Sequence, residues 1–144
     1  MSKQDEQDER IEAILGQSSD LDFDAAIGVF FEFLKARLQL PCQVTGIEDF
    51  DWEEPYVLGG WSGREYERLK KTQPSYKDRY DLLSIKWGDS SQWMMFDEDI
   101  AAHVRRLSDG KEFDLGLAEL KTVDKKSPNH QPLDDYAVWF VNNR

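Results

Sequence analysis

The most constraining feature of this sequence is an apolar stripe within residues 22–40, DFDAAIGVFFEFLKARLQL. Large apolar residues recur there at intervals of three and four, which places them on one face of a helix. These residues are Phe23, Ile27, Phe30, Phe31, Leu34 and Leu38. Asp22 or Asp24 can cap the first turn, and Pro41 ends the helix. A helix with so wide an apolar face must pack against a second layer, so the sequence predicts a folded core.

The second layer is predicted to be a sheet. CQVTGI favours a strand, and YDLLSIKW and QWMMF favour two strands joined by the turn at residues 88–91. AAHVRRLS and KEFDLGL flank Asp109-Gly110, a dipeptide typical of a tight hairpin. Between the first two of these strand segments, SGREYERLKK begins with the S-x-x-E spacing of a capping box and predicts a short exposed helix.

The chain is predicted to close with a helix in LDDYAVWFVNN, where Tyr136, Trp139 and Phe140 share one face. The order of elements indicates an α+β fold: a small antiparallel sheet or partial barrel with an N-terminal amphipathic helix and a C-terminal helix. We expect a single globular domain over residues 21–144. Residues 1–20 are polar and acidic, which predicts a weakly ordered leader, at best a frayed or weakly docked helix.

Charge and cysteine content limit the classes of function. The net charge of −11 disfavours nucleic acid and anionic membrane surfaces as partners, because both are negatively charged. A single cysteine, Cys42, excludes an internal disulfide and suits a reducing compartment. The N-terminus lacks the apolar stretch of a secretory signal, and no apolar run approaches the ~18 residues needed to span a bilayer. We therefore expect a cytoplasmic protein.

The segment IEDFDWEEP concentrates negative charge. Five carboxylates lie between residues 48 and 54, interrupted only by Phe50 and Trp52. This alternation has the period of a strand and predicts that the aromatic side chains face the core while the acidic ones face outward. The candidate calcium ligands are Asp49, Asp51, Glu53 and Glu54, with Asp97 and Asp99 as contributors from a second acidic group. Neither Asp49 nor Asp20 begins an EF-hand, since the sixth position of each series is not glycine.

Other kinds of site have little support in the sequence. Cys42, His103 and His130 are the whole cysteine and histidine inventory and lack zinc-ligand spacing. GGWSG departs from the nucleophile-elbow pattern, and Ser62 is better interpreted as a helix cap. We therefore predict that the protein is not an enzyme.

Two segments carry a resemblance to a known family. FFEFLKARLQLPCQVTG is similar to the helix–proline–strand opening of the cyanobacterial calcium-binding protein family associated with heterocyst differentiation, the CcbP-like proteins. The run from LGLAEL to LDDYAVWF resembles the end of the same family, so the likeness covers about half of the chain. It implies an SH3-like sheet in a small acidic cytosolic protein that binds calcium through surface carboxylates without an EF-hand. Residues 48–100 depart from the family pattern, so no ligand is transferred by position.

Three hypotheses for the acidic segment follow. In the first, it binds calcium in a regulatory or buffering role. In the second, the protein is an interaction module whose acidic face meets a basic protein, with no metal. In the third, the basic residues of the short helix neutralise the acidic segment within the chain; these are Arg64, Arg68, Lys70 and Lys71.

Overall fold

The computed structural model describes residues 2–16 and 21–144. Its helices are α1 (Lys3–Leu15), α2 (Phe23–Arg37), α3 (Glu54–Val57), α4 (Gly63–Leu69) and α5 (His130–Asn143). Its strands are β1 (Cys42–Gly46), β2 (Arg79–Lys86), β3 (Ala101–Arg106), β4 (Glu112–Gly116) and β5 (Leu120–Thr122). Short 3-10 turns at Asp51–Glu53 and Leu117–Glu119 precede α3 and β5, respectively.

The strands form one open antiparallel sheet in the order β4-β3-β2-β1-β5. The α+β prediction is confirmed, and of the two predicted forms the structure shows the small antiparallel sheet. The hairpin between β3 and β4 turns at Asp109-Gly110 as expected, with Gly110 at φ 77°. Of the described helices, none is both long and apolar enough to cross a membrane.

The core lies between the sheet and helices α2 and α5. Asp22 caps α2 by accepting a hydrogen bond from the Ala25 amide at 2.7 Å. The buried face of α2 meets the aromatic face of α5. There the centre of the Phe30 ring lies 5.4 Å from that of Tyr136 and 5.1 Å from that of Trp139. Both helices share one apolar cluster with the inner face of the sheet, which includes Val44, Leu82, Val104, Leu115 and Leu120. The aromatic face predicted for the last helix is therefore a packing face.

The segment QWMMF is not a strand, contrary to the sequence prediction. Its backbone makes local turns, with the Met94 amide bonded to the Ser91 carbonyl at 3.2 Å. The Trp93 ring packs against Phe113, whereas the Phe96 ring packs against Phe140 on α5. Because its aromatic side chains contact two different elements, the segment bends over the core instead of pairing in the sheet.

Helix α1 is more firmly docked than its polar sequence led us to expect. Arg10 donates two hydrogen bonds of 3.0 Å to the buried carboxylate of Asp135 on α5. Gln7 donates to the same carboxylate at 2.9 Å, and Ile11 is buried in the core cluster. A frayed helix was expected because its apolar residues are few, but polar contacts with α5 add to the apolar packing of Ile11. Residues 1 and 17–20 of the predicted leader lie outside the described residues, and the domain division at residue 20 stays a prediction.

Candidate functional site

A cavity of about 580 Å³ opens at one end of the sheet. It is bounded by the segment after β1, the loop before β3, the turn before β5 and α5 from Asp134 onward. Five carboxylate side chains line it, those of Glu48, Asp49, Glu54, Glu119 and Asp134. Among the described lining residues Arg144 is the sole cation, so the cavity carries a strong negative charge.

The acidic segment enters this cavity through turns, because residues 51–53 form a 3-10 turn and not the predicted strand. As a result the acidic side chains diverge. Asp49 and Glu54 line the cavity. Asp51 is exposed and close enough to Glu119 to raise the pKa of that carboxyl by repulsion, in addition to the larger effect of burial.

Glu53 points away from solvent, which corrects the expectation that all the acidic side chains face outward. Its side chain is fully buried and accepts four hydrogen bonds. One oxygen accepts from the amides of Tyr76 at 2.8 Å and Phe50 at 3.3 Å. The other accepts from the hydroxyls of Tyr66 at 2.5 Å and Ser75 at 2.8 Å. With its oxygens occupied in this way, Glu53 joins α4 and the segment before β2 to the acidic turn.

The second acidic group divides in the same way. Asp97 is exposed. Asp99 is 1% exposed and accepts hydrogen bonds from the Tyr136 hydroxyl at 2.6 Å and the Ala118 amide at 3.0 Å. This buried carboxylate ties the loop before β3 to α5 and to the turn that ends at Glu119.

Asp99 and Glu119 lie close together beside Gly116. A Cβ atom at Gly116 would come within 2.6 Å of Asp99 Oδ2 and closer still to Glu119 Oε2, so a larger residue here would force both carboxylates to shift. Burial raises the pKa of each carboxyl to about 7 and outweighs the amide hydrogen bonds that both accept. Repulsion from Glu119 raises the pKa of Asp99 further.

Glu119 is the cavity residue that the sequence did not single out. It lies in LGLAEL, apart from both acidic groups, and gives no local signal of a site. The structure brings it to the cavity because the Ile47 amide bonds to the Glu119 carbonyl at 2.9 Å, extending the pairing of β1 with β5. Its carboxylate also accepts a hydrogen bond from the Met95 amide at 3.2 Å. Only the sheet topology reveals these contacts.

The basic residues of α4 pair locally instead of with the acidic segment. Arg68 lies 4.0 Å from Glu65, and Lys70 lies 2.9 Å from Glu67. In the part of the chain that the structure describes, no ion pair joins α4 to residues 48–54. The hypothesis of intramolecular neutralisation therefore gains no support from these contacts.

The described residues contain no group of three or more Asp, Glu, His or Cys side chains already arranged to hold a metal ion. The cavity carboxylates are hard oxygen donors, and Glu48 and Glu54 are exposed, so they can change rotamer. The donor types therefore suit calcium, but the ligands would have to converge when the ion binds.

Comparison with known proteins supports the fold. No protein-family model matches the chain, and no curated protein matches it. The crystal structure of Anabaena CcbP matches with a TM-score of 0.60 and 12% identity, over 96% of this chain and 92% of that one. A calcium binding protein in the calcium-binding form matches with a TM-score of 0.59 and 12% identity, over 99% and 97%. The predicted relationship to CcbP-like proteins is confirmed at the level of the fold, which by itself assigns no activity.

Proposed function

We propose that this protein binds calcium at the acidic cavity, as a non-enzymatic protein of the cytoplasm with a regulatory or buffering role. The observation that carries the proposal is that five carboxylates from three separate segments line one cavity. The two proteins of similar fold, one named as CcbP and one described in a calcium-binding form, support the choice of ion.

The proposed ligands are Asp49, Asp51 and Glu54, joined by Glu119 from the turn before β5. Asp97 is a further contributor from the loop before β3. Calcium accepts six to eight oxygen ligands in a flexible arrangement, so exposed carboxylates and water can complete its coordination. Magnesium requires a nearly ideal octahedron and keeps several waters, which favours calcium at a site that forms only on binding.

Glu53 and Asp99, which the sequence also suggested as ligands, are not ligands in this proposal; their role is structural. Both are buried, and both carboxylates accept hydrogen bonds from protein donors. Coordination of an ion would require breaking those bonds without access to solvent. We propose that these residues hold the turns that carry the ligands.

Calorimetric titration with calcium, with magnesium at equal ionic strength as the control, tests this function. At 100 times the dissociation constant, calcium should stabilise the protein by about 2.7 kcal/mol. For a chain of this size, that free energy corresponds to a rise in melting temperature of roughly 5–10 °C.

The site itself is tested by the double variant Asp49→Asn/Asp51→Asn. It should bind calcium at least about tenfold more weakly, a loss of about 1.4 kcal/mol. Asp8→Asn/Asp89→Asn is the matched control, because it removes the same charge from exposed positions outside the cavity. If both double variants bind calcium equally well, the proposed ligands are wrong. If the wild-type protein gives no saturable heat on titration with calcium, the proposed function is wrong.

A further inference from the structure

The acidic cavity is also lined by exposed apolar side chains, which calcium binding does not use. Four exposed large apolar side chains converge on it: Leu58 at 73% exposure, Val141 at 58%, Met95 at 44% and Ile47 at 40%. They are four of nine such residues in the described part of the chain. Single exposed apolar residues are normal on a protein surface, whereas a contiguous patch with a polar rim marks a binding surface.

The backbone around this groove is fixed by hydrogen bonds. Ile47 is bonded to Glu119, and Met95 donates to the Glu119 carboxylate. The Leu58 amide donates to the Glu54 carbonyl at 2.9 Å. Phe140, on the α5 side of the groove, is fully buried in the core. A groove formed by anchored segments can bind a partner without first paying the entropy of ordering them.

The rim defines the charge of the occupant. Its carboxylates come from residues 48–49, residue 54, residue 119 and α5, so several segments contribute negative charge beside the apolar side chains. Arg144 is the basic residue among the described lining positions, and its guanidinium lies 3.9 Å from the centre of the Phe96 ring. A molecule with one basic group could pair with a carboxylate on one side of the groove only. A polypeptide with several basic side chains can pair with carboxylates from several segments.

We propose that this groove binds a short segment of another protein, with two or more large apolar side chains flanked by lysine or arginine. The apolar side chains would enter beside Leu58 and Val141, and the basic side chains would meet the rim carboxylates. A second copy of this chain is disfavoured as the occupant, because a symmetric contact would bring two acidic rims together. The proposal goes beyond calcium binding and requires no metal.

The test uses the full chain in excess chelator, so that its result is independent of calcium. The probe is a fluorescein-labelled 14-residue synthetic peptide of leucine and lysine, with leucines at helical spacings of three and four. Binding is measured by fluorescence anisotropy in low and high salt. Two control peptides replace either every leucine with serine or every lysine with glutamate. We expect saturable binding of the first peptide, weakened by salt through screening, and at least tenfold weaker binding of both controls.

Groove variants locate the binding surface. Leu58→Ser and Val141→Ser should each weaken binding at least threefold, whereas Leu107→Ser should not. Leu107 is 45% exposed and lies outside the groove, so Leu107→Ser is the same substitution at an exposed position away from the proposed binding surface. All three side chains are solvent-exposed, and thermal melting checks that each variant is folded. The use of two separate groove positions keeps the test valid if one variant unfolds.

Three results would overturn the proposal. One is no binding of the leucine–lysine peptide at millimolar concentration. Another is that the serine peptide binds as tightly as the leucine–lysine peptide, or that Leu107→Ser weakens binding as much as the groove variants do. Either result would show that diffuse charge attraction alone accounts for binding. The third is a dimer in sedimentation experiments that Leu58→Ser dissociates, since the groove would then be covered by a second copy.

Discussion

Glu53 and Glu54 are adjacent in the acidic segment, yet the structure assigns them opposite energetic roles. Glu53 is buried with four hydrogen-bond donors around it, whereas Glu54 is exposed at the cavity rim. We predict that Glu53→Ala strongly destabilises the fold and that Glu54→Ala does not. The comparison is sharp because both variants remove the same side chain and the same formal charge from neighbouring positions.

The expected loss follows from the donors that Glu53→Ala leaves behind. Hydrogen bonds to charged groups contribute about 1.5–3 kcal/mol each, and each unsatisfied buried donor costs about 1–3 kcal/mol. Water can enter the vacated space and the Ser75 and Tyr66 hydroxyls can rotate, so the full sum will not be lost. A loss of roughly 3–5 kcal/mol in the free energy of unfolding remains. Glu54→Ala should change it by less than about 0.5 kcal/mol.

Glu53→Gln separates charge from hydrogen bonding. Its amide oxygen can accept from the Phe50 and Tyr76 amides, while its NH₂ group faces the Tyr66 and Ser75 hydroxyls, which can turn to accept. We therefore expect an intermediate loss of about 1–2 kcal/mol, because only the charge assistance disappears.

Urea unfolding followed by tryptophan fluorescence measures these losses. With a slope of about 1–3 kcal/mol per molar urea, a loss of about 4 kcal/mol lowers the midpoint by roughly 1.3–4 M. A decrease of less than about 1 kcal/mol for Glu53→Ala, or equal losses for Glu53→Ala and Glu54→Ala, would refute the buried network.

Two further predictions concern charged groups away from the cavity. Arg106, 2% exposed, binds two carboxylates and three backbone carbonyls, so Arg106→Met should cost about 3–5 kcal/mol in urea unfolding. Arg105→Met, at an exposed position with one 3.6 Å ion pair, should cost less than about 0.5 kcal/mol, and comparable losses in the two variants would contradict this ranking. The pKa of His103 is raised, chiefly by its hydrogen bond to Asp114 and also by Glu112. The folded pKa therefore lies above the unfolded value of about 6.5, so this stabilisation is complete below that pH and is lost as pH rises through the folded pKa. The loss in free energy of unfolding caused by His103→Asn should accordingly be larger at pH 6 than at pH 9. An equal loss at both pH values would exclude the charged pairing.

Elements with a strong local pattern were predictable from the sequence. The stripe on α2, the Ser62 cap of α4 and the Asp109-Gly110 turn each depend on neighbours within a few residues. The aromatic face of α5 was predictable for the same reason. QWMMF was mistaken for a strand because a short apolar run suits a strand or a buried loop equally, and packing decides between them.

The candidate site was only partly accessible to sequence reasoning. The acidic segment was evident, and Asp49 and Glu54 do line the cavity. The orientation of Glu53 could not be read from the strand period, because a 3-10 turn has a different period. In addition, three of its four donors lie 13 to 23 residues away along the chain. Glu119 gave no signal, since its place beside residue 47 arises from the pairing of β1 with β5.

The sequence by itself determined the class of fold, the strong negative charge and the periodic faces that must be buried. These properties depend on composition and on spacings of two to four residues, which are fixed before any distant contact forms. Tertiary structure alone decided which carboxylates face solvent and which are bound by protein donors. That choice depends on groups far apart in the chain, because a buried carboxylate is tolerated only where folding brings enough donors to it.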